Sequence, residues 1–403
     1  MYIQGSDNYI RLDKLTKYLS RIMVCCVALM LCGTACAEEA MNARHMAKLF
    51  DGVYDAGIYT QIDYTYAQAH DAEMHDDWLG FCTAAAKVLP CGDTVVGRNL
   101  DMPISDVPIY VFRTQVPGCY ETITLSYDSG SGYSEEQLLA DGMPEAYAKV
   151  LPFYSPDILN SAGLFIEMNM RTSEPDETGV DKFGTSGTNP GAAVRVSELA
   201  LTRYIAEHCA TIEEVLDYIQ TLDVYTMNKG GYAWGLCYLM ADATGRYGVL
   251  EIADNQIVWL ENEAVQTNFY LHPAFAEKQE MKIGVGRYEL ARFGLSDVST
   301  EQDMLNLVKQ VSYFQSYTPA ACAYDVRSEC VGKQPHWTYD YVMNEANQAE
   351  IDAYLDEREH MAAKQQGDLW MSVLSEVVNC SQKRITVRLW EDEEKILVLE
   401  FGK

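Results

Sequence analysis

The sequence predicts a layered α+β fold. Two observations carry this: short alternating strands lie at both ends of the folded part, near 83–127 and 370–401, and helical periodicity is confined to stretches between them. A third, the lack of any internal repeat, long linker or low-complexity tract, points to one domain behind its leader segments.

Taken in order, Thr83 to Leu89 reads as a strand, Pro90-Cys91-Gly92-Asp93 as a turn, and Thr94 to Leu100 as the returning strand. Ile109 to Thr114 and Thr122 to Tyr127 read as a second hairpin around Pro117-Gly118, and Leu164 to Met170 as a further strand. Helices follow at Ser197 to His208 and after Thr211-Ile-Glu-Glu, which has a capping-box pattern. Strands return at Gly235 to Met240, Tyr247 to Ile252 and Gln256 to Leu260, with helical segments near 286–293 and 300–312. After a polar stretch near 315–365, Trp370 to Val378, Ile385 to Trp390 and Lys395 to Phe401 alternate again. Ahead of all this, residues 38–81 form an acidic, histidine-containing stretch with helix-compatible spacing at Met46, Leu49 and Phe50 and again around Tyr54.

Composition narrows the function. The 403 residues are 48% hydrophobic, with 59 acidic against 30 basic side chains and a net charge of -29. Such a surface repels phosphate backbones and anionic lipid, so nucleic acid is not an expected partner. At the start, Arg11, Lys14, Lys17 and Arg21 precede an apolar run from Ile22 to Cys32. That run suits a signal peptide and is too short for a membrane span, so the mature protein is expected to have none. Ala35 and Ala37 fit a small-x-small cleavage site, which sets residues 1–37 as the signal and predicts export to the periplasm, the envelope or the medium. Cys36 offers a second reading, as a lipid-modified cysteine.

Of the 12 cysteines, no pair has C-x-x-C spacing, and the seven histidines contain no H-E-x-x-H, so neither a metal nor a cofactor is expected. Cys322 and Cys330 are the most local candidates for a disulfide. The informative cysteine is Cys82, in Gly80-Phe81-Cys82-Thr83, followed by Gly97-Arg98-Asn99-Leu100-Asp101. A hairpin through 90–93 brings Arg98 near Cys82 at its open end, where a guanidinium favours a thiolate, and Asp101 lies beside them. The bland readings are a buried cysteine and a surface ion pair at a strand end.

The Cys-Thr pair with Gly-Arg-Asn-x-Asp beyond it resembles the choloylglycine hydrolase and penicillin V acylase group. It also resembles acid ceramidase and N-acylethanolamine acid amidase, all N-terminal-nucleophile hydrolases. Asp157-Ile-Leu-Asn160-Ser-Ala-Gly163-Leu164, with a strand that ends at Asn169, is similar to a second element of the group, one residue out of register. Gln266-Thr267-Asn268-Phe269 is similar to a third. Arg287 stands, by order, where the group has a late arginine, although Gly284-Val-Gly precedes it instead of the usual lead. The resemblance spans roughly 82–401.

It implies a four-layer αββα sandwich formed by 82–403, with 38–81 as a prosegment cut away before Cys82. It also implies that the freed α-amine, whose ordinary pKa is about 7.7, serves as the base for the Cys82 thiol. On this reading Arg98 steadies the thiolate, Asp101 orients the amine, Asn169 and Asn268 face the oxyanion, and Arg287 completes the set. The substrate would be a small N-acylated molecule with a linear amide, such as a conjugated bile salt, penicillin V or an N-acyl amide. Members of the group often form homo-oligomers. Tyr110, Phe112, Tyr120, Phe153, Tyr154 and Phe165 could line an acyl pocket or simply be core. Three alternatives stand beside this reading. One is an acyltransferase of the isopenicillin N acyltransferase type. Another is an exported binding or structural protein that keeps the fold uncut. The third is a papain-like thiol protease, which would need His208, His272 or His336 against Cys82.

Overall fold

The structure is a computed structural model. It describes residues 46–50, 53–64, 81–103, 109–127, 143, 145–153, 155–171, 174, 181–229, 232–233, 235–280, 282, 284–312, 370–389 and 396–402. The expected signal segment 1–37 with Cys36, Tyr154, His336, and Cys322 and Cys330 of the expected disulfide lie outside them.

Two sheets face each other. The larger begins with β1 (Ala47–Phe50) and β2 (Val53–Tyr59). The chain then leaves for the other sheet, where it builds the hairpin β3 (Phe81–Val88) and β4 (Thr94–Pro103). It returns for β5 (Ile109–Thr114), β6 (Thr122–Tyr127), β7 (Asp157–Asn160) and β8 (Phe165–Arg171), with helix α1 (Glu145–Val150) between β6 and β7. Two small pairs follow, β9 (Val194–Ser197) with β10 (Leu222–Tyr225) and β11 (Asn228–Lys229) with β12 (Tyr232–Ala233). Helices α2 (Glu198–His208) and α3 (Ile212–Tyr218) separate β9 from β10. β13 (Gly235–Ala241), β14 (Tyr247–Ala253) and β15 (Gln256–Glu261) complete the larger sheet in the order β1-β2-β5-β6-β7-β8-β13-β14-β15. β16 (Val265–Gln266) joins the second sheet. Helices α4 (Pro273–Ala276), α5 (Val285–Gly294) and α6 (Glu301–Gln310) come next. β17 (Trp370–Asn379), β18 (Arg384–Leu389) and β19 (Ile396–Glu400) close the second sheet in the order β16-β3-β4-β17-β18-β19.

Strand alternation sorts the side chains between layers. On β3, β4 and β17, Cys82, Ala84, Ala86, Val96, Leu100, Leu374 and Val378 face the larger sheet and share one core with it. Their neighbours Ala85, Val95 and Val377 face outward, onto Met304, Leu307 and Val308 of α6. That helix lies so close that a Cβ on Gly97 would come within 2.6 Å of Val308 and 2.7 Å of Met304, which explains the glycine before Arg98. α2 covers the outer face of the larger sheet, where Tyr238 on β13 donates to the Glu198 carbonyl at 2.7 Å. The layers therefore run helix, sheet, sheet, helix, and the α+β expectation holds.

Before Cys82, the structure departs from the helical expectation for Met46, Leu49, Phe50 and Tyr54: these residues fall in or beside β1 and β2. β2 runs parallel to β5 with Val53 opposite Ile109 and Tyr59 opposite Thr114, and its Tyr54, Ala56 and Tyr59 pack on Tyr110 and Phe112. The alternation of Val53, Asp55 and Gly57 with Tyr54, Ala56 and Ile58 is broken by a bulge between Asp55 and Gly57, which disguised the strand. The larger sheet thus reaches across the boundary expected at Cys82.

Candidate active site

Cys82 is the second residue of β3 and is 3% exposed. It lies opposite Leu100 in the hairpin, and Ala84 lies opposite Arg98, so the thiol and the guanidinium are diagonal neighbours on the inner face. Arg98 Nη2 points at Cys82 Sγ from 3.7 Å. Burial pushes the thiol up to about 12, the charge of Arg98 pulls it down, and the charge of Asp101 raises it further. In the uncut chain the thiol is therefore protonated at neutral pH, and the histidines are not placed to change that. His208 stacks on Tyr218 at 5.2 Å and His272 packs on Phe275 at 5.6 Å. Neither of them meets Cys82, so the papain-like rival gains no support among the described residues.

The outer face of the hairpin carries the second half of the site. Arg287, in the first turn of α5, donates from Nη1 to the Cys82 carbonyl at 2.8 Å and to Thr83 Oγ1 at 2.6 Å, and it pairs with Asp101 Oδ2 at 3.2 Å. Ser372 on β17, opposite Asp101, hydrogen-bonds the other carboxylate oxygen. Gly284, at φ 80° before α5, makes room for this: a Cβ there would fall 2.9 Å from Arg287 Nη2. Arg287 Nη2 also donates to Asn268 Oδ1 at 2.9 Å, and Asn268 Nδ2 donates to the Met170 carbonyl at 2.7 Å, which leaves that amide one hydrogen. Asn169 differs. Its Nδ2 donates to Glu167 Oε1 at 3.0 Å and to the Gln266 carbonyl at 3.2 Å, so both hydrogens are taken.

Arg98 on the inner face is crowded by acids. Asp157 Oδ2 lies 2.9 Å from Nη1 and Glu167 Oε2 lies 3.5 Å from Nε. Glu376 of β17 stands directly opposite Arg98 in the sheet. Arg98 is buried, and burial works against its charge, but Asp157, Cys82, Glu376 and Glu167 outweigh that and hold it more firmly protonated than usual. Burial pushes Asp157 up to about 6 and Glu167 up to about 8, against the pull of Arg98 in both cases.

The structure thus brings Cys82, Arg98, Asp101, Asn169, Asn268 and Arg287 to one end of the β3–β4 hairpin. Sequence reasoning missed Thr83, Glu167, Ser372 and Glu376. Two of them left a trace: Glu167, Asn169 and Arg171 alternate on β8, and Glu376 sits between Leu374 and Val378 on the inward side of β17. The expectation of an acyl pocket fails for Tyr110 and Phe112. They pack with Tyr54 and Ala56 of β2, Ala148 of α1 and Leu151, with Phe112 also under Arg203 of α2 at 5.7 Å, on the side of the sheet away from Cys82. Phe153 and Phe165 are core residues, and Tyr120 is half-buried. Asn160 also proves structural. Its Oδ1 accepts from the amides of Ala162, Gly163 and Leu164, and its Nδ2 donates to the carbonyls of Ala206 and Cys209.

The sequence matches no protein-family model and no curated protein. Among solved structures, the chain is similar to two variants of a conjugated bile acid hydrolase from Clostridium perfringens. They match at 12% and 11% identity with TM-scores of 0.42 and 0.41, covering 80% of this chain and 92% or 93% of theirs. It is also similar to a penicillin V acylase from Agrobacterium tumefaciens, at 14% identity and a TM-score of 0.43 over 80% of this chain and 87% of that one. Overlap at this level assigns neither family nor activity, so the function must be read from the residues themselves.

Proposed function

We propose that this chain is an exported cysteine amidohydrolase of the N-terminal-nucleophile type, which cuts a linear amide in a small N-acylated molecule after cleavage before Cys82. The observation that carries the reading is how the two arginines divide Cys82: Arg98 addresses its thiol and Arg287 its backbone. A cysteine whose thiol alone mattered would need no cation on its carbonyl. Asp101 sits on the backbone side, where a freed α-amine would form, and that amine supplies the base that no histidine provides.

The chemistry has two stages. In the first, Cys82 Sγ attacks the Phe81 carbonyl, the C–N bond to Cys82 breaks, and water releases the upstream chain as a carboxylate. In the second, the amine accepts the thiol proton, Sγ attacks the substrate amide carbonyl, and the proton passes to the leaving amine. Water then hydrolyses the thioester. The remaining Asn268 hydrogen is the readiest donor to the oxyanion, whereas Asn169 must first give up a partner.

Cutting before Cys82 separates the upstream segment covalently without dismantling the sheet. β2 remains paired with β5, and Tyr64 holds Glu207 by hydrogen bond while its ring packs on Tyr204 at 4.7 Å. On this reading β1 and β2 stay with the cut protein as part of a non-covalent partner chain, where the prosegment expectation has them depart.

The test is amine release from phenoxyacetyl penicillin, a glycine-conjugated bile salt and a fatty acyl ethanolamide. Turnover of at least one by the wild type, none by Cys82→Ala, and a drop of about a hundredfold in Asn268→Ala support the reading. Equal turnover by wild type and Cys82→Ala rejects it.

A further inference from the structure

The charge balance around Arg98 is uneven. One guanidinium meets the carboxyls of Asp157, Glu167 and Glu376, all at most 1% exposed, as well as the Cys82 thiol. With every carboxyl ionised, the pocket would hold an excess of two negative charges away from water, which low-dielectric surroundings do not tolerate. Neutrality there takes two protons: burial, which pushes Glu167 up to about 8, leaves one on that carboxyl at neutral pH, and the hydrogen bonds point to where the other sits. Asp157 Oδ1 accepts from the Leu125 amide at 3.2 Å and its Oδ2 lies against Arg98 Nη1, so both oxygens have positive neighbours. Glu167 Oε1 accepts from Asn169 and its Oε2 lies against Arg98 Nε. Glu376 is different: neither of its oxygens accepts a hydrogen bond from any described donor, and its carboxyl faces that of Asp157.

We propose that Glu376 is a positioning residue that acts as a neutral acid, sharing its proton with Asp157 and so fixing the Asp157–Arg98 pair against Cys82 Sγ. A buried carboxyl without a donor of its own is stable only when it carries the hydrogen itself, and the neighbouring carboxylate is the acceptor. The electrostatics agree in direction: burial first, then the charge of Asp157, drives Glu376 well above the usual carboxylate range, while Arg98 pulls it back. The groups that face Glu376 are Arg98 from β4, Asp157 from β7 and Glu167 from β8, with Cys82 of β3 beyond Arg98. Glu376 touches neither the thiol nor the backbone of Cys82, and it acts through Arg98. The inference concerns the state of one carboxyl and stands apart from the amide substrate.

Infrared difference spectra of the full chain at neutral pH, wild type minus Glu376→Gln, test it directly. The expected result is the carbonyl band of a protonated carboxylic acid, absent from the variant. Carboxylate bands in its place would overturn the proposal. A second measurement reads the coupling to Cys82: thiolate absorbance against pH, taken as the difference from a Cys82→Ser background. Glu376→Gln, which keeps a neutral donor, should leave the Cys82 titration within about twofold in proton concentration, and Glu376→Leu should move it about tenfold or more. Equal shifts in both variants would mean that the group acts by charge or packing and would overturn the proposal. Should Glu376→Leu fail to fold, the infrared comparison still decides.

Discussion

Two buried arginines lie on opposite faces of the nine-stranded sheet, and their surroundings differ in kind. Arg203, on the α2 face, donates to the Pro152 carbonyl at 2.7 Å and to the hydroxyls of Thr114, Thr122, Thr124 and Ser155 at 2.6–3.2 Å. Its one carboxylate neighbour among the described residues, Glu207, stands at 3.8 Å. Neutral oxygens thus satisfy the guanidinium on all sides, as expected of a group that only ties layers together. Arg98, on the inner face, meets three carboxyls and a thiol. Some of its contacts are ion pairs without hydrogen-bond alignment, since Nε and Nη1 make no aligned hydrogen bond among the described residues. A buried cation crowded by more acids than it can neutralise is costly for stability and useful for controlling protons, and it sits beside the proposed nucleophile, Cys82.

The largest effect should come from removing the cation. Arg98→Met leaves Asp157 and Glu167 buried without their counter-charge, so unfolding free energy should drop by about 3–5 kcal/mol in denaturant titrations, and the cut before Cys82 should cease. Arg203→Met should cost less, about 2 kcal/mol, because the freed hydroxyls can bond one another, as Thr114 and Thr122 already do at 2.7 Å. This variant should still be cut. If it instead loses cleavage while staying folded, the division between a structural and a catalytic arginine is wrong.

The smallest effect concerns pH. Glu167 titrates near 8 in the folded chain because of its burial, with Arg98 opposing, and near 4.5 as its ordinary value. A carboxyl raised on folding favours the folded state below its unfolded pKa, and that advantage is lost as pH rises towards the folded value. Melting temperature should therefore fall between pH 5 and pH 9. Glu167→Gln, which mimics the neutral acid, should flatten most of that decline at the alkaline end and change little at pH 5. An unchanged slope in the variant would place the titration elsewhere.

How far the sequence foretold this depends on the signal each residue left. The β3–β4 hairpin was legible because apolar alternation and a Pro-Cys-Gly-Asp turn bracket it, and Cys82, Arg98 and Asp101 came with it. Asn268 is legible through its Gln-Thr-Asn-Phe motif and Arg287 only by order along the chain, and the structure ties them together through one hydrogen bond. β7 leaves no strand signal: its four residues are all buried, so it shows no alternation. β1 and β2 were hidden by short length and a bulge. Glu376 escaped because a glutamate between serine and valine looks like an outward-facing polar residue. Only its parity with Leu374 and Val378 marks it as pointing inward. Asp157 was quoted within a motif, but nothing in its spacing announced a partner on another sheet.

The central claim is that Cys82 becomes an N-terminal residue while the segment before it stays in the sheet. The measurement is N-terminal sequencing and intact mass of the single size-exclusion peak, for wild type and Cys82→Ala. The account predicts two chains in the wild-type peak, one beginning at Cys82 and one ending at Phe81, and a single uncut chain in the variant. An uncut wild type would contradict the nucleophile assignment, and a peak holding only the chain from Cys82 would contradict the retained strands.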